Sequence, residues 1–438
     1  MAQFYKPKPR SSRQPICRLT GQLVVDLDHQ GRGIIRTPQG TKFVCGTVPG
    51  DVISVTVDGR YDAQLERIEQ PSSMRVPPAC RYFEACGGCD LQHIAVTDQL
   101  KYKQQSVRAM LHKFAQVEAQ QWLPPITGAV WHYRRRARLA IYWDGKRRQL
   151  KLGFRAAKSK QIIAVEHCAV LAQSLERLIQ PLRQLIPSLA CVAQLGHVEL
   201  IEFTQQVVVQ LRLPEIPSEQ DRAKLQTFAE HQRVAIWVET DHGPQAVCPR
   251  AEPMSYSSFG IEVPSWPTDF MQGHRELSVA LVAQALKWLE PKTTDHILEL
   301  YAGSGNFTLP MATMGATVTA VEGVASMVER LQESAAQLQL KVSAHCANLE
   351  QPWQQQPWAQ QSFNKVLLDP ARAGAAGAIS EVAQLQPERI VYVSCAPDTL
   401  ARDAQVLAAH GYQLKQAQLV DMFPQTHHIE VITLFERG

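Results

Sequence analysis

Cys395 and Glu430 are the two side chains of this sequence best placed to do covalent chemistry. Cys395 directly follows the apolar run RIVYVS (389–394) and precedes Pro397, from which the chain reads as helix. A thiol at a helix N-terminus is expected to have a lowered pKa and so to be a better nucleophile. Most free cysteines are small buried hydrophobes, and only the place between strand end and helix start singles this one out. Glu430 lies in DMFPQTHHIEV (421–431) near the chain end and could act as a general base. Taken alone, it would read as a surface charge on an edge strand.

A second constellation is a small-molecule pocket. ELYAGSGNFTLP (299–310) follows the apolar run HILEL (296–300), and Gly303 and Gly305 permit tight turning and close ligand approach. Glu322 ends the next apolar run, 19 residues after Gly303, where a carboxylate can accept hydrogen bonds from ribose hydroxyls. A dinucleotide fingerprint would have a third glycine at position 308, which here is Thr308. The loop therefore favours S-adenosylmethionine, which carries no phosphate, over NAD. A third constellation is the cysteine cluster Cys80, Cys86 and Cys89, which Cys168 can complete to four. Four thiolates suit zinc or an iron–sulfur cluster equally on ligand type.

These residues need a scaffold of several domains, since 438 residues exceed one compact core. Residues 16–70 read as short strands separated by turns (GQLVVDLDH, GIIRT, TKFVCGTV, DVISVTVDG), which suits a small OB-like barrel. PSSMRVPP (71–78) is a linker. Residues 97–119 have helical spacing, with Leu100, Val107, Met110, Leu111 and Phe114 on one side. Strand patterns return between about 125 and 265, giving a central α+β domain. The last 170 or so residues alternate strand and helix, as in a doubly wound parallel sheet, with YQLKQAQLVD and HHIEVITLFER closing its edge as a hairpin. The expected domains are 14–72, 73–265 and 266–438, with the 97–119 helix packing on the last.

Composition narrows the partners. Lys and Arg number 45 against 41 Asp and Glu, but the excess is concentrated. Lys6, Lys8, Arg10 and Arg13 face no acid. Between 134 and 160, eleven Lys and Arg residues face only Asp144. Two such runs favour a polyanion. No apolar stretch is long enough for a membrane helix and no secretory signal is present, so the cytoplasm is the expected location. Ten cysteines in that compartment are expected to be free or metal-bound.

The strings LLDPARAGAAG (367–377), YVSCAPDTLARD (392–403), DMFPQTHHIEV, CGGC and YRRRARL (133–139) resemble the bacterial RNA uracil-5-methyltransferase family over nearly the whole chain. The resemblance implies a multidomain protein: an OB-like TRAM barrel, a central α+β domain with an iron–sulfur site, and a Rossmann-like S-adenosylmethionine-dependent methyltransferase domain. It implies Cys395 as nucleophile and Glu430 as base. It carries cofactor contacts onto Gln272, Tyr301, Asn306, Glu322, Asn348 and Asp369, and a [4Fe–4S] cluster onto Cys80, Cys86, Cys89 and Cys168. Barrel and cluster together are similar to the ribosomal branch that methylates uridine 1939 of 23S rRNA. Its substrate would be a single-stranded or flipped-out uridine, with no membrane and no obligate protein partner. Phe270, Tyr133, Tyr142 and Trp143 are candidate stacking residues. Alternatives are another 23S rRNA uridine, a tRNA, or an inactive rRNA-binding assembly factor. A radical methylthiotransferase would need C-x3-C-x2-C, which does not occur. Two positions depart from the family pattern: Ala396 stands where the family has Asn, in SCNP, and Gly273-His274 stand where it has Val-Asn.

Overall fold

A computed structural model describes residues 17–57 and 59–438. The basic run at residues 1–13 and the first residues of the expected barrel domain lie outside the described residues.

Strands β1 (Cys17–Leu27), β2 (Gly33–Thr37), β3 (Gly40–Val44), β4 (Val52–Val57) and β5 (Asp62–Gln70) form a closed barrel in the order β1-β2-β3-β5-β4. Closure removes the free sheet edges that five short strands would otherwise expose. Its interior is Val24, Ile35, Val44, Ile53, Val55 and Ala63, alternate residues of the strands. Asp51 ties the barrel to the chain beyond it, since its buried carboxylate accepts from Ser72 N–H at 2.8 Å and pairs with Arg75 at 2.8 Å.

Helix α1 (Val96–Met110) follows the cysteine cluster. Its last turn widens into a π-helical turn over Leu111–Ala115 and stops at Gln116 in the left-handed region (φ 54°). The helix is thus shorter than the sequence spacing suggests. The extra residue per turn also swings Phe114 off the apolar stripe, leaving it 54% exposed while Val107 and Leu111 are buried. Those two pack into the same core as Leu400, Leu407 and Leu414 near the C-terminus. Strand β6 (Gln121–Trp122) then joins the C-terminal sheet.

The central sheet has seven strands: β7 (Arg136–Asp144), β8 (Gln149–Arg155), β9 (Ile162–Ala164), β10 (His197–Glu202), β11 (Val207–Arg212), β12 (Ala235–Thr240) and β13 (Gly243–Cys248). Their order is β13-β12-β11-β10-β7-β8-β9. β14 (Ser255–Ser258) and β15 (Ile261–Pro264) form a separate hairpin.

The C-terminal sheet contains β16 (His296–Leu300), β17 (Thr317–Glu322), β18 (Val342–Cys346), β19 (Lys365–Leu368), β20 (Arg389–Ser394), β21 (Tyr412–Val420) and β22 (Glu430–Arg437). The order is β18-β17-β16-β19-β20-β22-β21-β6. β18 to β20 run parallel, and β22 inserts antiparallel between β20 and β21. The hairpin therefore does not end the sheet, because β6 covers its outer strand. Helices α2 (Arg275–Leu289), α3 (Ala325–Gln337) and α4 (Pro397–Ala409) cover the two faces. Strand order switches at β16, from which the sheet grows outward through β17 on one flank and through β19 on the other, all parallel. A crevice at such a switch point, outside the strand C-termini, is where open α/β sheets bind ligands. No helix among the described residues is long and apolar enough to cross a membrane.

Candidate active site

The loop after β16 is shaped by three left-handed residues: Tyr301 (φ 65°), Gly303 (φ 57°) and Gly305 (φ 100°). At Gly305 a Cβ would lie 2.5 Å from a terminal methyl of Leu331 of α3, so a side chain there would have to displace that buried leucine. Glu322 closes the loop. Its carboxylate accepts from Gly303 N–H and Val324 N–H, each at 3.0 Å. Four buried polar atoms of this short stretch have no protein partner: Glu299 Oε1, Tyr301 Oη, Ser304 Oγ and Asn306 Oδ1. Buried polar groups are rarely left unpaired, so this concentration fits a polar ligand in the crevice. Glu299 was not singled out by sequence. Burial pushes its carboxyl up to about 8, against the hydrogen bond it accepts from Thr308. Thr308, at the third-glycine position, therefore serves the carboxylate and not a pyrophosphate.

Gln272 is buried, and its carbonyl accepts from Arg135 Nε at 2.7 Å. Asn348 is exposed, and its side-chain oxygen accepts from Glu350 N–H at 3.0 Å. The Gly273-His274 departure is accommodated. His274 caps α2 by accepting from Leu277 N–H at 3.4 Å, its other ring nitrogen meets the Ala129 carbonyl at 3.0 Å, and Tyr133 stacks on it. Gly273 leaves room for Phe423, which would lie 2.8 Å from a Cβ there.

Strand register brings the nucleophile and base candidates together. Ser394 of β20 pairs with Val431 of β22, so Cys395 and Glu430 are the next residues across the same antiparallel ladder. Asp369 follows β19, the neighbour of β20 on its other side. The charge balance overturns one expectation. Burial, then the charges of Glu430 and Asp369, push the Cys395 thiol up to about 12, outweighing the lowering effect of Arg372. A place beside the N-terminus of α4 does not offset two carboxyls in a crowded site. Those carboxyls rise as well. Burial moves Asp369 to about 7, although the residue stays partly open to the cleft. Burial and Asp369 together hold Glu430 well above the usual carboxylate range. In the ligand-free chain the site thus resists carrying more than one negative charge.

Asp403, unflagged by sequence, fixes the loop that carries Asp369. It is fully buried and accepts from Ala375 N–H (2.7 Å), Tyr392 Oη (2.7 Å) and Arg402 Nε (2.8 Å). Gly374 (φ 73°) lets the loop press against this group, since a Cβ would meet Arg402, Asp403 and Thr399 within 2.8 Å. The signal was present in the strings DPARAG and TLARD, but their contact is tertiary.

Cys80, Cys86, Cys89 and Cys168 line one cavity of about 260 Å³, together with Arg134 and His428. Burial, then neighbouring groups that include the other thiols, pushes Cys89 up to about 12 and Cys168 to about 11, and burial likewise raises Cys86. A cationic group in the cavity would relieve that cost. Among the described residues no three His, Cys, Asp or Glu side chains close on one point as ligands of a single ion. All ten cysteines are free.

The basic run at 134–160 divides. Arg135 is 2% exposed, and Arg136 pairs with Glu199 at 2.9 Å and donates to the Pro267 and Asp269 carbonyls. These two arginines fasten the central sheet to the segment leading to Gln272 and do not face solvent. Lys146, Arg147 and Arg148, at the β7–β8 turn, are exposed. Of the candidate stacking residues, Tyr133 is buried and donates to Pro424 O at 3.0 Å, whereas Phe270 is 71% exposed.

A mostly parallel sheet with its ligand crevice at the switch point and a glycine loop lined by orphaned polar atoms are the features of a Rossmann-like methyltransferase domain. Residues 356–438 match the family described as tRNA (Uracil-5-)-methyltransferase, and residues 297–385 match a methyltransferase domain. A curated relative from Shewanella woodyi, 23S rRNA (uracil(1939)-C(5))-methyltransferase RlmD, is 41% identical over 100% of both chains. The proteins of the same description from Shewanella halifaxensis and Pseudomonas putida are each 40% identical, covering 100% and 99% of this chain and 99% and 95% of their own. The chain belongs to the 23S rRNA (uracil-C(5))-methyltransferase family. Pyrococcus abyssi tRNA (uracil-54, C5)-methyltransferase, solved with S-adenosyl-L-homocysteine, shares the fold (TM-score 0.72, 22% identity, 96% of this chain and 100% of that one).

Proposed function

We propose that this chain transfers the methyl group of S-adenosylmethionine to carbon 5 of uridine 1939 in 23S rRNA. The observation that carries the reading is the juxtaposition of Cys395 and Glu430 across β20 and β22, in a chain whose full-length relatives carry that description. S-adenosylmethionine supplies a methyl group on a sulfonium, and Gln272, Tyr301, Asn306, Glu322, Asn348 and Asp369 are the residues proposed to hold it. The orphaned atoms of Tyr301 and Asn306 support that assignment.

Carbon 5 of uracil is too weak a nucleophile on its own. The Cys395 thiol gives its proton to water as its sulfur bonds to carbon 6, which moves an electron pair toward carbon 5 and makes it an enolate carbon; that carbon takes the sulfonium methyl, whose bond to sulfur breaks so that S-adenosylhomocysteine leaves. The Glu430 carboxylate then takes the carbon 5 proton, the carbon 6–sulfur bond breaks and the thiolate leaves. A thiol held protonated at rest by burial and by two neighbouring carboxyls avoids idle reactivity. The target base must be unstacked to reach Cys395, so the substrate is a single-stranded or flipped-out uridine.

Cys80, Cys86, Cys89 and Cys168 are proposed to hold a [4Fe–4S] cluster, which needs four thiolates around a volume and not around a point. The barrel within 14–72 is proposed as an RNA-binding TRAM domain, followed by a cluster domain over 73–265 and the catalytic domain over 266–438. The test is mapping of 5-methyluridine in 23S rRNA and tRNA from cells with and without the protein. Loss at 23S position 1939 alone is expected. Loss in tRNA, or at another 23S uridine, would reassign the substrate.

A further inference from the structure

Cys395 and Glu430 take their polar anchors from different parts of the molecule. Cys395 follows β20 and precedes α4, where the polar ties described above stay within the catalytic domain, Asp403 to Tyr392, to Ala375 and to Arg402, while α1 adds only apolar packing through Val107 and Leu111. Glu430 is reached through the connection 421–429, most of whose side-chain partners lie about 300 residues earlier, beside one from the catalytic domain, Arg372 against His428 at 3.3 Å. The carboxylate of Asp421 pairs with Lys103 of α1 at 2.6 Å, and both side chains are at most 3% exposed. The same ammonium donates to Phe423 O at 3.1 Å. Gln99, fully buried one turn earlier on α1, grips Gln425 reciprocally: its Nε2 donates to Gln425 Oε1 and its Oε1 accepts from Gln425 N–H, both at 3.1 Å. Asp90 and Leu91 N–H donate to the Gln425 carbonyl at 3.1 and 3.0 Å.

This anchoring exceeds what docking a helix requires. Val107 and Leu111 already bury α1 in the catalytic core, and burial of apolar side chains holds a helix in place without any polar partner. A buried Lys–Asp pair adds little net stability, because desolvation offsets its attraction. What such a pair and a two-way amide contact do supply is a defined position for the backbone that leads into Glu430.

We propose that Gln99 and Lys103 are positioning residues for Glu430, and that they govern proton removal and thiolate release but not the preceding attack of Cys395. The proposal rests on the roles given above to Cys395 and Glu430. It divides the reaction between two anchors: the first half depends on the Asp403 group, the second on α1.

The test compares Gln99→Ala, Lys103→Met and the conservative Lys103→Arg with Glu430→Gln, using a 23S rRNA fragment, labelled S-adenosylmethionine and denaturing gels. Gln99→Ala removes no charge and leaves the Lys103–Asp421 pair intact, so it reports even where Lys103→Met folds poorly. Multiple turnover should fall roughly ten- to a hundredfold, the scale of a small misplacement from a remote change. The single-turnover yield of covalent protein–RNA adduct should be kept, and the adduct should persist as it does with Glu430→Gln. Lys103→Arg should recover part of the turnover. Adduct formation falling in step with turnover, or turnover unchanged, overturns the proposal. Glu430→Gln giving normal turnover and no adduct overturns the underlying assignment of the base instead.

Discussion

Ala396 stands where the family pattern has Asn, and the structure turns that departure into a stability measurement. Helix α4 begins at Pro397, and Ala396 is its N-cap at φ −141°, ψ 103°, an extended geometry that cap residues adopt. No side chain caps the helix. The nearby Ser394 hydroxyl accepts from the N–H of Ala396 itself, at 3.2 Å. Ala396→Asn places an amide oxygen where it can accept from the N–H of Thr399, the third helical residue. A cap of this kind is worth about 1 kcal/mol, with a range of roughly 0.5–2. For a folding unit of 150–250 residues that corresponds to a rise of about 2–4 °C in Tm. Thermal melting monitored by circular dichroism measures the rise. Urea titration should give a higher midpoint at unchanged slope, which marks a change in stability and not in denatured-state compactness. Ala396→Leu, which adds bulk but no acceptor, should give no gain. An unchanged or lowered Tm for Ala396→Asn, or an equal rise for Ala396→Leu, refutes the capping argument.

The other predictions concern charge, metal and RNA. Burial raises the Asp369 carboxyl in the folded chain from its ordinary value of 3.8, so its contribution is complete below about pH 4 and is lost as pH rises through the folded value. Asp369→Asn should therefore stabilise the ligand-free chain more at about pH 8 than at about pH 5, and urea midpoints that differ from wild type equally at both would count against it. Protein purified without oxygen should hold about four irons, as a [4Fe–4S] cluster requires. Cys80→Ser or Cys168→Ser should lose them and Cys191→Ser should not; stoichiometric zinc without iron would refute the assignment. Reversing Lys146, Arg147 and Arg148 together to Glu should weaken binding of a 23S rRNA fragment and flatten its salt dependence, because fewer counterions are released. Unchanged affinity at low salt would remove that turn from the RNA surface.

Residue type and local spacing alone pointed to the barrel strands, the glycine loop after HILEL, the cysteine cluster and the place of Cys395 between a strand and a helix. Each is a short-range pattern, legible because alternation, glycine placement and a proline after a strand act within a few residues. Glu430 was different. By sequence it was an edge-strand charge until family resemblance named it, and only the insertion of β22 beside β20 brings it next to Cys395. Arg135 and Arg136 read as part of a polyanion track, yet tertiary packing turned them inward onto backbone carbonyls. No spacing rule says which arginine of a run faces the core. The thiol expectation failed for the same reason: a helix N-terminus is visible in sequence, but the burial and the two carboxyls that outweigh it come from three separate strand ends. Gln99 and Lys103 left no local signal at all, and Asp403 showed only as part of the string TLARD, without its partners. Their chemistry lies in contacts with residues far along the chain or on neighbouring elements, which only the folded backbone brings within hydrogen-bond reach.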